Sequence, residues 1–323
     1  MTRDEFLSER AQLRQTRPGL VDLSELNLYR SLAKLDGARF GSIAPSTHEE
    51  APYRCHLAER FLSHLGLSQQ LKSRTHVSHG IRRSLRALFA HLASAHATVG
   101  VPDDVYPVYG QLAAEAGVKV APWSAREGLP KDLSGLSALL VCEPLKPWGT
   151  SLASVEVERL RSWARADERR MVIIDSAYAT PPSPLALQAM LDESAVLLVS
   201  LSKGWLIPDH AGLCIVPTRF QQATRQVFAP LPKDTERLRI GYAALTEHAD
   251  RVGHVTQTLA HLASRLDDFT SRRPEFAATR CAGYFAATER SFSQLLELGV
   301  LAVPASIFGG SSQGCILSSL PVA

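Results

Sequence analysis

The chain has 323 residues, 45% of them hydrophobic and 21% charged, with a formal charge of +3 at pH 7. A chain of that size buries a large core and suits one large domain plus a smaller one. The basic excess is small and scattered, which excludes a nucleic-acid footprint, and no run approaches the roughly 20 apolar residues that cross a bilayer.

Residues Met1 to Arg17 are polar and charged and lack the apolar centre of a leader segment, so the expected location is cytoplasmic. From Val21 through Pro52 the chain reads as an irregular N-terminal arm, residues 1–52, with no convincing strand. A helical pattern then opens at Tyr53, with Leu57, Phe61, Leu62, His64 and Leu65 spaced by three and four residues. The five cysteines are odd in number, widely spaced and never arranged as C-x-x-C, so neither a disulfide framework nor a metal site is indicated. Cys142 and Cys214 lie in apolar runs and read as small buried hydrophobes.

Between Thr75 and Pro217 short apolar runs alternate with amphipathic segments. The expected strands are Thr75–Ser78, Ala97–Val101, Val118–Val120, Ala138–Cys142, Met171–Ile174, Val196–Val199 and Gly212–Val216. Ile81–Leu92, Tyr109–Ala116 and Val155–Ala164 have helical spacing. This alternation predicts an α/β domain over residues 53–217, a mostly parallel sheet flanked by helices. Ligands of such sheets sit beyond the carboxyl ends of the strands. After Pro217 the pattern changes to long helical stretches over Leu238–Phe269, a helix over Ser291–Leu298 and a short strand over Val300–Pro304. Residues 218–323 therefore read as a small C-terminal α+β domain.

Two strand ends carry chemistry. The run Val196–Val199 stops at Ser200-Leu201-Ser202-Lys203-Gly204, and Met171–Ile174 stops at Asp175-Ser176-Ala177-Tyr178. A lysine at the end of a buried strand is partly desolvated, which favours a neutral amine able to form a Schiff base with an aldehyde. An aspartate facing a pyridine nitrogen keeps that nitrogen protonated and makes the ring an electron sink. Ser200 and Ser202 supply hydroxyl donors suited to a phosphate, and Tyr178 supplies a phenol for a ring oxygen. Together these residues match what pyridoxal 5'-phosphate requires.

Taken in order, the turns resemble those of class I/II aminotransferases, the fold type I enzymes that use pyridoxal phosphate, over roughly Val21 to Leu320. The resemblance makes Lys203 the Schiff-base residue, Ser200 a phosphate ligand, Asp175 the partner of the ring nitrogen and Tyr178 that of the ring oxygen. Val101-Pro102-Asp103-Asp104-Val105-Tyr106-Pro107-Val108-Tyr109 is similar to the segment whose first aromatic stacks on the cofactor, which nominates Tyr106. Val77-Ser78-His79-Gly80-Ile81-Arg82 is similar to the glycine turn that opens a helix, whose free N–H groups and dipole suit a phosphate, so Gly80, Ile81 and Arg82 form the expected cradle.

Departures from the family pattern are concentrated around the site. Glu143-Pro144-Leu145-Lys146-Pro147-Trp148-Gly149 stands where the family carries an asparagine loop, and Lys146 takes the place of the amide that bonds the ring oxygen. His210 lies nearest the place of the phosphate-clamping arginine. Leu317 stands where the resemblance puts an arginine for a substrate α-carboxylate. Each residue alone has an ordinary reading: Lys203 and Lys146 as surface lysines, Tyr106 and Tyr178 as packing aromatics, Arg82 as a solvated helix face, His210 as a loop histidine. Their order along the chain favours the site.

The resemblance implies an aminotransferase that takes a small-molecule amine or amino-acid-like substrate in specialised biosynthesis, assembled as a homodimer. The alternatives are a decarboxylase, a lyase or replacement enzyme, or an oxidase using the same cofactor, and a non-catalytic member of the fold.

Overall fold

A computed structural model describes residues 2–26, 31, 50–144, 151–179, 195–207, 211–228, 235–247, 250–280, 284–309 and 313–320. Seven strands form the main sheet: β2 (Thr75–Ser78), β3 (Thr98–Pro102), β4 (Lys119–Trp123), β5 (Ala138–Cys142), β6 (Met171–Asp175), β7 (Ala195–Ser200) and β8 (Gly212–Ile215). Their spatial order is β2-β8-β7-β6-β5-β3-β4. Only β8 runs against its neighbours; the pairs from β7 to β4 are all parallel. Every residue of β5, β6, β7 and β8 is buried, as continuous apolar runs in a sheet covered on both faces must be.

The helices of this unit are α2 (Glu50–His64), α3 (Ile81–Ser94), α4 (Val108–Ala116) and α5 (Ser154–Arg165). Helix α3 buries Ser84, Leu85, Ala87, Leu88, Phe89 and Leu92, the stripe expected of an amphipathic helix lying on a sheet. Helix α4 ends at Gly117 in the left-handed region (φ 69°), a C-terminal stop that costs a glycine nothing. The first turn of α5 is held by Glu156, whose carboxylate accepts from the N–H groups of Ala153 and Leu129.

Beyond β8 come α6 (Gln221–Phe228), α7 (Thr235–Glu247) and α8 (Arg251–Ser271), then β9 (Thr279–Arg280), β10 (Phe285–Thr288), α9 (Phe292–Glu297), β11 (Val300–Leu301), β12 (Val303–Pro304) and β13 (Cys315–Ser318). The small sheet has the order β12-β13-β10-β9 and is antiparallel throughout. Leu266, Phe276, Ala286, Leu295, Val300, Ala302, Cys315 and Leu317 form its own core.

The N-terminal segment differs from the expected irregular arm. It begins with helix α1 (Arg3–Thr16), capped by Thr2 and Glu5, with Phe6 and Arg10 buried. Strand β1 (Val21–Asp22) then pairs in parallel with β11. Two residues carry no alternation pattern, and the pairing partner lies near the other end of the chain, so no local signal marks this strand.

Candidate active site

The carboxyl ends of the parallel strands, together with the start of the antiparallel β8, bring the sequence-predicted residues to one edge. Gly212 sits in register with Ser78 on one side and Ser200 on the other. Two strands further, Asp175 is in register with Cys142. Lys203, Asp175, Tyr178, Tyr106, Ser200, Ser202, Gly80, Ile81 and Arg82 all lie along this edge or in the turns that leave it. Lys146 and His210 lie outside the described residues.

The Lys203 turn is tightly closed. Gly204 N–H donates to the Ser200 carbonyl, Ile207 N–H to Leu201 and Leu201 N–H to Ala211. Leu206 adopts φ 51°, an uncommon conformation for a leucine that the surrounding packing must support. That support is Arg251, a fully buried residue at the start of α8, whose Nε donates to the Trp205 carbonyl at 3.0 Å and whose Nη2 donates to the Leu206 carbonyl. Trp205 is itself fully buried and packs on Phe61 with ring centroids 5.0 Å apart.

The turn presents a half-buried lysine whose Nζ lies 4.8 Å from the Tyr178 ring centroid and 5.3 Å from that of Tyr106. Here the charge state departs from the expectation. Desolvation works to lower the pKa of the ammonium, as anticipated, but Tyr178, Tyr106 and Asp175, together with a hydrogen bond to Tyr178, outweigh it and hold the amine above its ordinary value. Surrounding the nitrogen with electron-rich rings and a carboxylate stabilises its charged form.

Asp175 is 7% exposed at the end of β6. Its Oδ2 accepts from the Tyr109 hydroxyl at 2.5 Å and its Oδ1 from the Ala177 N–H at 2.9 Å. Burial pushes this carboxyl above its ordinary value, while the Tyr109 hydrogen bond, the Lys203 charge and the Ala177 N–H pull it back. Each carboxylate oxygen has capacity for one further donor.

Tyr106 stands edge-on to Tyr109, with centroids 5.1 Å apart at 81°. Its hydroxyl accepts from Arg82 Nε at 2.8 Å and Nη2 at 2.6 Å. The Arg82 side chain thus extends to the hydroxyl end of Tyr106, while its backbone lies in the first turn of α3.

That first turn has the features of an anion site. Gly80, the residue before α3, has φ 80° and offers no side-chain cap. A β-carbon on Gly212 would lie 2.9 Å from the Gly80 carbonyl carbon and 3.0 Å from the Ile81 nitrogen, so the absence of that carbon lets the helix end settle on the sheet edge. Ser78 Oγ lies 2.7 Å from Ser84 Oγ and donates to the Gly80 carbonyl, tying strand to helix. Ser200 and Ser202 hydroxyls lie 3.2 Å apart in the adjoining turn. Helix dipole, backbone N–H groups and paired hydroxyls together suit a phosphate.

Tyr109 and Tyr284 carry no role by sequence alone, whereas Glu143 and Leu317 already stand out as departures from the family pattern. Tyr109 reads as the start of a helix and the end of the segment whose first aromatic is nominated to stack, with no role of its own. Tyr284, buried just before β10, has its ionisation opposed first by burial and then by Tyr178, which makes it a neighbour of the site from the small unit. Glu143 is buried at the end of β5, accepts from the Leu152 N–H, and is held above its ordinary value by desolvation. Leu317 is fully buried in the small-unit core, so its side chain lies among Leu266, Phe276 and Leu295 and is no guide to what replaces a carboxylate-binding arginine. Among the described residues, no group of three His, Cys, Asp or Glu could hold a metal ion, and no helix is long and apolar enough to cross a membrane.

No protein-family model matches the chain. A histidinol-phosphate aminotransferase of Pectobacterium carotovorum subsp. carotovorum (strain PC1) is 26% identical over 180 residues, 52% of this chain and 47% of that protein. The matched segment thus spans about half the length of that curated relative. Among solved structures, the L,L-diaminopimelate aminotransferase of Chlamydomonas reinhardtii superposes with a TM-score of 0.72 at 16% identity, covering 99% of this chain and 92% of that one. The histidinol-phosphate aminotransferase of Clostridium acetobutylicum superposes with a TM-score of 0.68 at 14% identity, covering 93% and 94%. The chain has the class I/II aminotransferase fold, a mostly parallel sheet flanked by helices with a small antiparallel sheet beside it.

Proposed function

We propose that this chain is a pyridoxal-phosphate-dependent aminotransferase acting on a small amine or amino-acid-like compound in specialised biosynthesis. The observation that carries the reading is the Lys203 amine set between the Tyr106 and Tyr178 rings, beside a buried Asp175. The donor set fits the cofactor. Lys203 is an amine for its aldehyde, Asp175 has unspent acceptor capacity for its ring nitrogen, and Tyr178 has a phenol for its ring oxygen. Tyr106 offers an aromatic face, and the start of α3 with Ser200 and Ser202 suits its phosphate.

Pyridoxal phosphate, when bound, supplies an aldehyde for covalent capture and a ring that withdraws electrons from the substrate carbon. In this reading Lys203 Nζ would hold the cofactor through its aldehyde, and as a free amine it would move a proton to and from the donor carbon. Tyr178 orients that nitrogen through its hydrogen bond. Asp175 would hold a proton on the ring nitrogen, and the closed turn clamped by Arg251 keeps Lys203 in place. Tyr106 would offer its aromatic face to the ring and exclude water from that side. The proposed assembly is a homodimer, to be checked by sedimentation.

Glu143 favours a second reading. A buried carboxyl held above its ordinary pKa, with its backbone N–H bonded to the Asp175 carbonyl, is suited to donate a proton, and loss of carbon dioxide or of a leaving group would use one. Incubating the loaded protein with candidate amines separates the two. Stoichiometric pyridoxamine phosphate supports transamination; release of carbon dioxide or a leaving group with the cofactor unchanged contradicts it.

A further inference from the structure

We infer that Tyr109, itself oriented by Cys142, is a positioning residue that fixes the Asp175 carboxylate toward a protonated ring nitrogen. The inference rests on the pyridoxal-phosphate reading above.

Tyr109 lies in the first turn of α4, after β3, and its phenol reaches past β5 to the end of β6, where it meets two groups at once. Its hydroxyl donates to Asp175 Oδ2 at 2.5 Å and lies 3.0 Å from Cys142 Sγ. A phenol has one proton. With that proton directed at the carboxylate, the contact with sulfur must run the other way, the thiol donating to the phenol oxygen. Cys142, Tyr109 and Asp175 therefore form a directional chain of hydrogen bonds, and the register of Cys142 opposite Asp175 sets its length.

The chain is dry. Tyr109 is 2% exposed and Cys142 6%, so little solvent competes for these bonds. Burial, reinforced by the Asp175 charge, raises both the phenol and the thiol well above their ordinary values, so both keep their protons as donors. Each donor polarises the next, which strengthens the final bond to the carboxylate. The Ala177 N–H fixes the second oxygen. With one site on each oxygen taken by protein, the plane of the carboxylate is set and one acceptor site on each oxygen is left for a ligand cation. This accounts for Cys142 better than the small buried hydrophobe its apolar run suggests.

The test measures dissociation constants of the full chain for pyridoxal phosphate and for its carbocyclic analogue, in which C–H replaces the ring nitrogen. Tyr109→Phe is expected to weaken pyridoxal phosphate by about tenfold or more while moving the analogue by less than about twofold, because only the former has a nitrogen for Asp175. Cys142→Ala is expected to produce the same selective loss at about two- to fivefold, and it serves alone if Tyr109→Phe does not fold. Equal weakening of both ligands, or of neither, overturns the inference, since a merely structural role cannot sense the ring nitrogen. Failure of the wild-type chain to bind pyridoxal phosphate overturns the reading beneath it, a result distinct from loss of selectivity in the variants.

Discussion

Gly212 approaches Gly80 so closely that a β-carbon on Gly212 would lie 2.9 Å from the Gly80 carbonyl carbon and 3.0 Å from its Cα. The obstacle is backbone on both sides, which cannot rotate away as a side chain can. Gly212→Ala is therefore expected to cost about 1–3 kcal/mol, read from urea denaturation, by prising α3 from the sheet edge. The same variant is expected to bind pyridoxal phosphate more weakly, because the helix end and Ser200 no longer converge. Unchanged stability and unchanged affinity would refute the role given to this contact.

Arg251 satisfies two buried carbonyls in the Lys203 turn. Arg251→Met preserves length and removes both donors, leaving the Trp205 and Leu206 carbonyls without them. A loss of about 2–5 kcal/mol is expected in denaturant midpoint analysis. Arg251→Lys cannot span both carbonyls as a fork, so it is expected to recover only part of the loss. Full recovery by lysine would show that charge, rather than the fork, holds the turn.

Tyr178 is the first of the groups that keep the Lys203 amine above its ordinary value against desolvation. A lysine raised on folding adds stability that is fully present below its ordinary pKa and is lost as pH rises through the folded value. The affected window therefore lies above about pH 10.4. Tyr178→Phe removes the phenol oxygen and its hydrogen bond to the amine, so the midpoint for competitive acetylation of Lys203 is expected to move to lower pH. A midpoint that stays in place would mean that Tyr178 does not set the charge of the amine.

Much of this architecture was legible in the chain itself. The strands β5, β6, β7 and β8 are continuous apolar runs, and their ends carry Asp175 and Lys203 on turns too polar to continue a strand. What escaped the sequence was the set of relationships made by distant residues. Arg251 lies inside the helical stretch expected over Leu238–Phe269 and has no role of its own until the fold buries it against Trp205. Tyr109 reads as the start of a helix until its hydroxyl meets Asp175. Burial of Lys203 was anticipated, but the opposing effect of the Tyr178 and Tyr106 rings depends on the fold that gathers them. Strand β1 is too short to show a pattern at all.

Glu143 gives a pH signature of the same sign in a lower pH window. Desolvation holds its carboxyl above its ordinary value in the folded chain, so the native state binds more protons than the unfolded state in the interval between the two pKa values. Stability is expected to fall as pH rises from the ordinary glutamate value of about 4.3 through the folded value. Glu143→Gln keeps an acceptor for the Leu152 N–H and removes the titration, so it is expected to raise the thermal midpoint at neutral pH and to converge on wild type in acid. A constant difference at all pH values would contradict this account.

The measurement that tests the central claim most directly is borohydride reduction of the full chain loaded with pyridoxal phosphate, followed by peptide mass mapping beside Lys203→Ala. A single stable phosphopyridoxyl adduct is expected on Lys203 and none in the variant. An absent adduct, or one that persists in Lys203→Ala, would contradict it.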